Sequence, residues 1–358
     1  MLRIAFISRA SLYDQPGGDT IQIQETANAL RREGHEVDIL LSGTPLVEDG
    51  YDLVHFFNLG RPADLLRYMP LDIPLVISPI LVDYSQVEKN HPSPIRRSLF
   101  RIFGGNGMEF LKVMGRSLSR SDLFPGWGYI LRGHWRSCRY LLASAQAVIP
   151  TTEAEAERLK AEFGHIPLSR VIGLGISDLF LNLTPPLVRK GIICVGRIER
   201  RKNQLNLIRA VRDLDIPLTI VGPVARNQPD YVAECKKEAG ANVQFIGPVK
   251  QSDLIPLYLS HQVLAMPSYF ETYGLTGIEG LACGCNMVYS EGGDAVEVYS
   301  EHAFSCYPDD PKSIREALLK ALEIPNEIPG PAFFKEHDWK HVARETLDVY
   351  QLVMKRST

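Results

Sequence analysis

Short apolar runs, each closed by a polar loop and followed by a helix-length segment, recur along nearly the whole chain, and no other feature restricts the fold as much. "RIAFIS" opens the series, the loop "RASLYDQPGGDT" and the helix-like "IQIQETANALRREG" follow, and "HEVDILL" reads as the next strand. Gly34 suits a helix stop, and Val37, Ile39 and Leu40 suit a buried strand. "YDLVHFFN" and "IPLVISPI" continue the pattern, and "AQAVIPTTEAEAERLKAEFG" supplies a strand, a threonine cap and a charged helix. Alternation of this kind predicts a parallel sheet covered by helices.

A second series starts after "LNLTPPLVRK", whose paired prolines suit a linker, and runs through "GIICVGRI", "PLTIVGP", "NVQFIG" and "QVLAMPS" with helix-like segments between them. At 358 residues the chain exceeds what one core usually serves, and its 45% hydrophobic content can fill two. The expected class is α/β with two doubly wound, Rossmann-like domains and a ligand cleft at the strand carboxyl ends, where the domains face each other. The expected boundaries are 1–170 for the first domain, 171–189 for the linker, 190–330 for the second domain and 331–358 for a terminal helix.

The net charge of −3 gives no reason to expect nucleic acid as a partner. The six cysteines are scattered, and Cys283 and Cys285 lack the companions of a zinc site, so they read as reduced core residues. No apolar stretch reaches the roughly 18 residues of a membrane span, and the N-terminus reads as a first strand, so a cytoplasmic protein is expected. Residues 88–140 interrupt the first series with ten Lys and Arg against three acids, a local balance of +7 in a chain of net −3. Within it, "IRRSLFRIF" sets Ile95, Leu99, Ile102 and Phe103 on one helical face, with Arg96, Arg97 and Arg101 largely off it. One reading is a helix at 95–103 lying on an anionic membrane surface; the other is a helical excursion whose arginines are solvated or bind the acceptor.

Three stretches carry the chemistry. In "VGRIERRKN", Gly196 permits a tight turn, and Arg197 and Lys202 can converge on the strand end, where a diphosphate would take a charge-assisted bond from each. The plain alternative is a solvated basic loop. In "YDQPGGD", Gly17 and Gly18 let backbone N–H groups approach an anion at a helix start, although ordinary glycine turns account for most such pairs, and the pattern is not that of a dinucleotide dehydrogenase. In "SYFETYGLTGIEGLACG", Glu271 stands at a strand end and Glu279 in a following helix; two carboxylates offer acceptors to sugar hydroxyls. A capping acid and a dipole-favoured acid are the plain alternatives. Asp213 and Asp215 form a D-x-D away from the strand carboxyl ends, so no metal is expected.

"GRIERRKN" and "SYFETYGLTGIEGLACG" together resemble the retaining GT-B glycosyltransferases of family 4, with their G-R-x4-K and E-x7-E signatures. The likeness extends to "TTEAEAERL", "GLGIS", "VQFIGPV" and "HDWKHVARETLDVY", the last a terminal helix that in such folds crosses back to the first domain. The resemblance implies hexosyl transfer from a nucleotide-diphosphate sugar, most simply a UDP sugar, to a glycan or lipid-linked acceptor, without a cofactor or metal. It implies that Arg197 and Lys202 bind the diphosphate with Gly17 and Gly18, that Gly196 shapes the loop, that Glu271 and the backbone of Thr272, Tyr273, Gly274 and Leu275 hold the sugar, that Glu279 holds the ribose, and that Val249 lies along the base. The family's first-domain histidine is absent from "PLVISPILVDYS"; Asp83, Tyr84, His55 or His91 are the replacements to consider. That departure motivates a second expectation, a catalytically silent sugar-nucleotide-binding or scaffold subunit; another GT-B enzyme such as an epimerase is the third.

Overall fold

Each apolar run of the two series becomes a strand of a parallel sheet in the computed structural model, which describes residues 1–118, 123–186 and 188–357. Residues 119–122 of the basic excursion, 187 of the expected linker and 358 at the terminus lie outside the described residues. The chain divides into one unit of Met1–Gly175 with His337–Thr358, and a second of Ile176–Glu336.

In the first unit, β1 (Arg3–Ser8), β2 (Glu36–Leu41), β3 (Leu53–Phe57), β4 (Leu75–Ser78), β5 (Ala147–Val148) and β6 (Leu168–Ser169) lie in the order β2-β1-β3-β4-β5-β6. The inner strands are apolar on both faces because helices cover both, which is why they read as unbroken runs. β2 is an edge strand, so of the three residues expected in a buried strand only Val37 is buried, while Ile39 and Leu40 are half-buried. Gly34 takes a positive φ of 87° just beyond the helix Gly18–Arg32, as a helix stop does. The helix Trp339–Ser357 packs against Gly18–Arg32, and Tyr350 from it lies with Oη 2.6 Å from His55 Nδ1.

The loop after β4 is gripped by the helix Glu153–Phe163, which Thr152 caps by accepting from the Glu155 N–H. Fully buried Glu155 accepts from Leu81 N–H at 2.7 Å and from both the N–H and the hydroxyl of Thr151, and Arg158 donates to the Leu81 carbonyl at 2.7 Å. A buried carboxylate is stable here because its oxygens accept three bonds.

The basic excursion is two helical runs, Pro94–Leu118 and Trp127–Ser144, each broken at a glycine of positive φ, Gly104 and Gly133. The first break ends the amphipathic segment at residue 103. Its arginines are neither all solvated nor all turned to a surface: Arg96 clamps buried Glu88 with two bonds of 2.7 Å, and Arg97 donates to the carbonyls of His91 and Pro92. Among the described residues, no helix is long and apolar enough to cross a membrane.

In the second unit, β7 (Ile192–Val195), β8 (Leu218–Val221), β9 (Val243–Ile246), β10 (Val263–Met266), β11 (Asn286–Ser290) and β12 (Ala303–Cys306) lie in the order β12-β11-β10-β7-β8-β9. The chain runs outward from β7 to β9, then returns to pair β10 with β7 and runs outward the other way. In such sheets the loops after the first and fourth strands part to opposite faces, and the crevice between them takes the ligand. The six cysteines are free and buried; five belong to this unit, with Cys194 and Cys306 in strands, Cys235 in a helix, and Cys283 and Cys285 in the turn before β11.

Candidate functional site

The loops after β7 and β10, the two strands flanking that crevice, are tied together residue by residue. The Arg201 carbonyl accepts from Tyr269 N–H at 2.7 Å. The Arg201 guanidinium donates to the Phe270 carbonyl at 2.8 Å, lies 3.4 Å from Glu271 Oε2, and pairs with Glu199 at 2.9 Å. Lys202 Nζ reaches Glu271 Oε1 at 2.5 Å, and Ser268 Oγ donates to the same oxygen at 2.6 Å. Asn203, in the left-handed region at φ 58°, starts the helix Gln204–Val211 and donates to the carbonyls of Pro267 and Pro308. Gly196 stands at the β7 end with φ 146°, a conformation L side chains rarely adopt, and faces the Lys202 stem.

Two residues to which sequence reasoning gave separate tasks, Lys202 and Glu271, thus form one largely buried ion pair. Burial alone would push the Glu271 carboxyl up, but Lys202 and Arg201, with bonds from Lys202 and Ser268, outweigh it and hold the pKa at about 2. Glu271 is therefore a fixed anion between two cations. Arg197 lies at the rim, with Nη1 4.0 Å from Glu199 and its carbonyl accepting from buried Gln204.

The far side of Glu271 is closed by the loop after β11. Gly292 and Gly293 pass so close to it that Asp294 N–H and Ala295 N–H donate to the Glu271 carbonyl, and a Cβ on Gly293, whose φ is 105°, would lie 2.4 Å from that carbonyl oxygen. Gly293→Ala is expected to cost at least about 1–2 kcal/mol from the backbone conformation alone, and to displace Glu271 as well. Urea unfolding together with donor titration checks both; an unchanged midpoint would show that the loop is not held as described.

Glu279 sits in the second turn of the short helix Leu275–Ala282, which begins at Gly274 (φ 79°). Its carboxylate is buried and accepts from Gln251 Nε2 at 2.7 Å and Tyr258 Oη at 3.1 Å. Burial dominates, and the two hydrogen bonds offset it only partly, so the pKa stands raised to about 7. Gln251 begins the helix that directly follows Gly247–Lys250, the loop of Val249 after β9. Of the expected sugar-side backbone, Thr272 and Gly274 are half-buried, while the Tyr273 and Leu275 side chains are core.

Gly17, Gly18 and Asp83 belong to the first unit. The Gly17 N–H, expected to face an anion, instead donates to Thr20 Oγ1 at 3.0 Å; the geometry of the helix start uses it internally. Gly18 opens on empty space, with nothing within 4 Å of where a Cβ would stand. Beneath this loop, Arg9 is nearly buried and binds Asp19, the Ser11 carbonyl and the Gln15 carbonyl. Asp83 is exposed and accepts from Ser85 N–H at 2.7 Å, and Tyr84 is exposed beside it. Neither histidine is a ready substitute for the missing one. His55 is fully buried between Tyr350 and Ser78, with burial lowering its pKa to about 3, and His91 Nδ1 accepts from Ser93 N–H. Asp213 and Asp215 lie before β8, at the end of the sheet away from the crevice.

Residues 182–341 match the family model described as glycosyl transferases group 1. An uncharacterized glycosyltransferase of Methanocaldococcus jannaschii is 29% identical over 180 residues, spanning 46% of this chain and 45% of that protein. A D-inositol 3-phosphate glycosyltransferase of Arthrobacter is 26% identical over 332 residues, 80% of this chain and 78% of its own length. Among solved structures, sucrose-phosphate synthase from Thermosynechococcus elongatus superposes with TM-score 0.74 at 18% identity, over 99% of this chain and 100% of that one. Anabaena HepE in complex with UDP and glucose superposes with TM-score 0.70 at 16% identity, over 98% and 100%. The six-stranded parallel sheets of both units and these likenesses give the chain the GT-B fold, with residues 182–341 similar to the glycosyl transferases group 1 domain.

Proposed function

We propose that the chain transfers a hexosyl group from a nucleotide-diphosphate sugar, most simply a UDP sugar, to a glycan or lipid-linked acceptor. The observation that carries this is the cluster at the crevice of the second unit, where Lys202 and Arg201 flank the fixed anion Glu271 and buried Glu279 lies on the helix that follows. Breaking the bond between an anomeric carbon and a diphosphate leaves negative charge on the phosphate. Fixed cations aimed at that position stabilise it without reorganising, so Lys202 and Arg197 are assigned to the diphosphate and the transfer needs no metal. Glu271, held ionised by its neighbours, offers acceptors to the hydroxyls of the moving sugar, and Glu279 does so for the ribose.

Retention of anomeric configuration is part of the proposal and rests on the likeness of both motifs to the retaining family. Glu271 is assigned to binding and not to proton transfer, because a carboxylate with a pKa of about 2 is a poor base at neutral pH. The relatives that are glycosyltransferases by name support glycosyl transfer, and the UDP complex of HepE supports the choice of base. A panel of nucleotide sugars tests the reading: one donor is expected to raise the thermal midpoint and to release free nucleotide slowly, with chelator present or absent. Product anomers read by NMR check retention. Stabilisation without turnover under any acceptor would favour the silent subunit, and failure of every nucleotide sugar to bind would remove the donor site.

A further inference from the structure

We propose that the excursion of the first unit is a docking surface for an anionic lipid bilayer, built on more than the helix at 95–103. Two apolar ridges stand in solvent. On the first helical run, Ile95 and Ile102, seven residues apart and so on one face, are 73% and 72% exposed. On the second, Trp127 and Leu131, one turn apart, are 71% and 81% exposed, with Phe124 edge-on to the Trp127 ring at 5.7 Å. Side chains this large standing free of the core are what an apolar environment would cover.

Among the described residues, the exposed charges of the 88–140 segment itself are of one sign, although exposed Glu162 of the helix Glu153–Phe163 accepts from Asn106 at its edge. Both acids of the segment that lie among the described residues are taken up internally: Glu88 is buried and pairs with Arg96 and Lys112, and Glu109 pairs with Lys112 at 2.6 Å. Arg101, Arg132, Arg136 and Arg139 remain exposed, and the guanidiniums of Arg132 and Arg139 lie over the rings of Tyr140 and Trp135. Cations interleaved with aliphatic and aromatic side chains match an anionic headgroup layer above hydrocarbon. Nucleic acid would satisfy the arginines and leave Ile95, Ile102 and Leu131 wet. Symmetric pairing with a second copy would set cations against cations.

The proposal stands apart from the transfer reading, because binding is read without any donor. Sedimentation with vesicles of phosphatidylglycerol and phosphatidylcholine in equal parts is expected to pull down the full chain, and vesicles of phosphatidylcholine alone are expected to leave it in solution. Binding should fade as salt shortens the Debye length toward about 3 Å. W127E/L131E is expected to weaken partitioning by about 100-fold, the loss of two buried apolar side chains. Neutralising Arg132, Arg136 and Arg139 to Gln should weaken it with the apolar ridge intact, which guards against a folding defect in the first variant; an unchanged urea midpoint checks both. The surface assignment is overturned by absence of wild-type binding to anionic vesicles, by equal binding of wild type and both variants, or by binding that is indifferent to salt. Concentration-dependent self-association that W127E/L131E abolishes, without vesicle binding, would assign the face to a second copy instead.

Discussion

Lys202→Ala is expected to lower donor turnover by about 10²- to 10³-fold, the usual consequence of removing one preorganised charge donor. The site gives this substitution two separable effects. Lys202 is placed to stabilise a leaving diphosphate, and it also neutralises Glu271 at 2.5 Å within a site where both side chains are largely buried. Removing one partner of such a pair leaves the other uncompensated, so the variant should also lose stability. Glu271 would keep Arg201 and Ser268, and its pKa would climb from about 2. A double-mutant cycle with Glu271→Gln divides the two effects. If Lys202 serves only to settle Glu271, removing it costs nothing further once Glu271 is Gln, and K202A/E271Q turns over like E271Q alone. If it acts on the diphosphate, K202A slows E271Q about as much as it slows the wild type, while the urea midpoint of the double variant lies above that of K202A. Near-normal turnover in K202A would remove the diphosphate assignment altogether.

The strands were readable because a parallel sheet covered on both faces leaves each strand as a continuous apolar run, and the helix stop at Gly34 and the cap at Thr152 are local chemistry. β2 misled for a related reason: the same residue types at a sheet edge are covered on one side only, and position in the sheet is not written in the run itself. The site divides along the same line. Lys202 and Glu271 could be singled out as candidates, but not their contact, since they are 69 residues apart and meet because β10 returns to pair with β7. Arg201 carries no signal of its own, because one arginine in "ERRK" looks like its neighbours; the fold turns it inward to Phe270 and Glu271. Gly292 and Gly293 carry a usable signal, a glycine pair in the loop after a strand, as Gly17 and Gly18 are. In the excursion, 95–103 is helical as the apolar spacing implies, but Arg96 turns to Glu88, eight residues before it, a partner that no local pattern of apolar residues marks.

The affinity for a nucleotide sugar is expected to rise with pH through about 7 and level off above it, with Glu279 as the cause. In the empty site burial leaves this carboxyl with a pKa of about 7, so near pH 5 it is almost entirely protonated. Ribose hydroxyls need acceptors, and the ionised carboxylate is the better one, so binding favours the ionised form and releases a proton. Where Glu279 must ionise to bind, affinity gains about tenfold per pH unit well below 7, which makes about 50-fold between pH 5 and 7 and about 100-fold between pH 5 and the plateau. The diphosphate of a nucleotide sugar is a diester with no proton to lose in that range, so the ligand does not imitate the effect. Calorimetry in buffers of different ionisation enthalpy would count the released proton directly. Glu279→Gln should bind more weakly at pH 8 and show no such slope. Tyr258→Phe removes a bond that now lowers the pKa, and should move the midpoint upward. Stability carries the opposite sign. The folded pKa lies above the ordinary carboxyl value, so the native state holds a proton the unfolded chain has lost, and Glu279 makes the empty protein less stable as pH climbs from about 4.5 to 7. Glu271, depressed to about 2, contributes stability that is present above the ordinary carboxyl range and lost as pH falls toward 2. A donor that binds through Glu279 should therefore stabilise the protein most at the pH where the empty site strains it. A wild-type affinity flat from pH 5 to 8, or a slope that survives in Glu279→Gln, would separate Glu279 from the ribose.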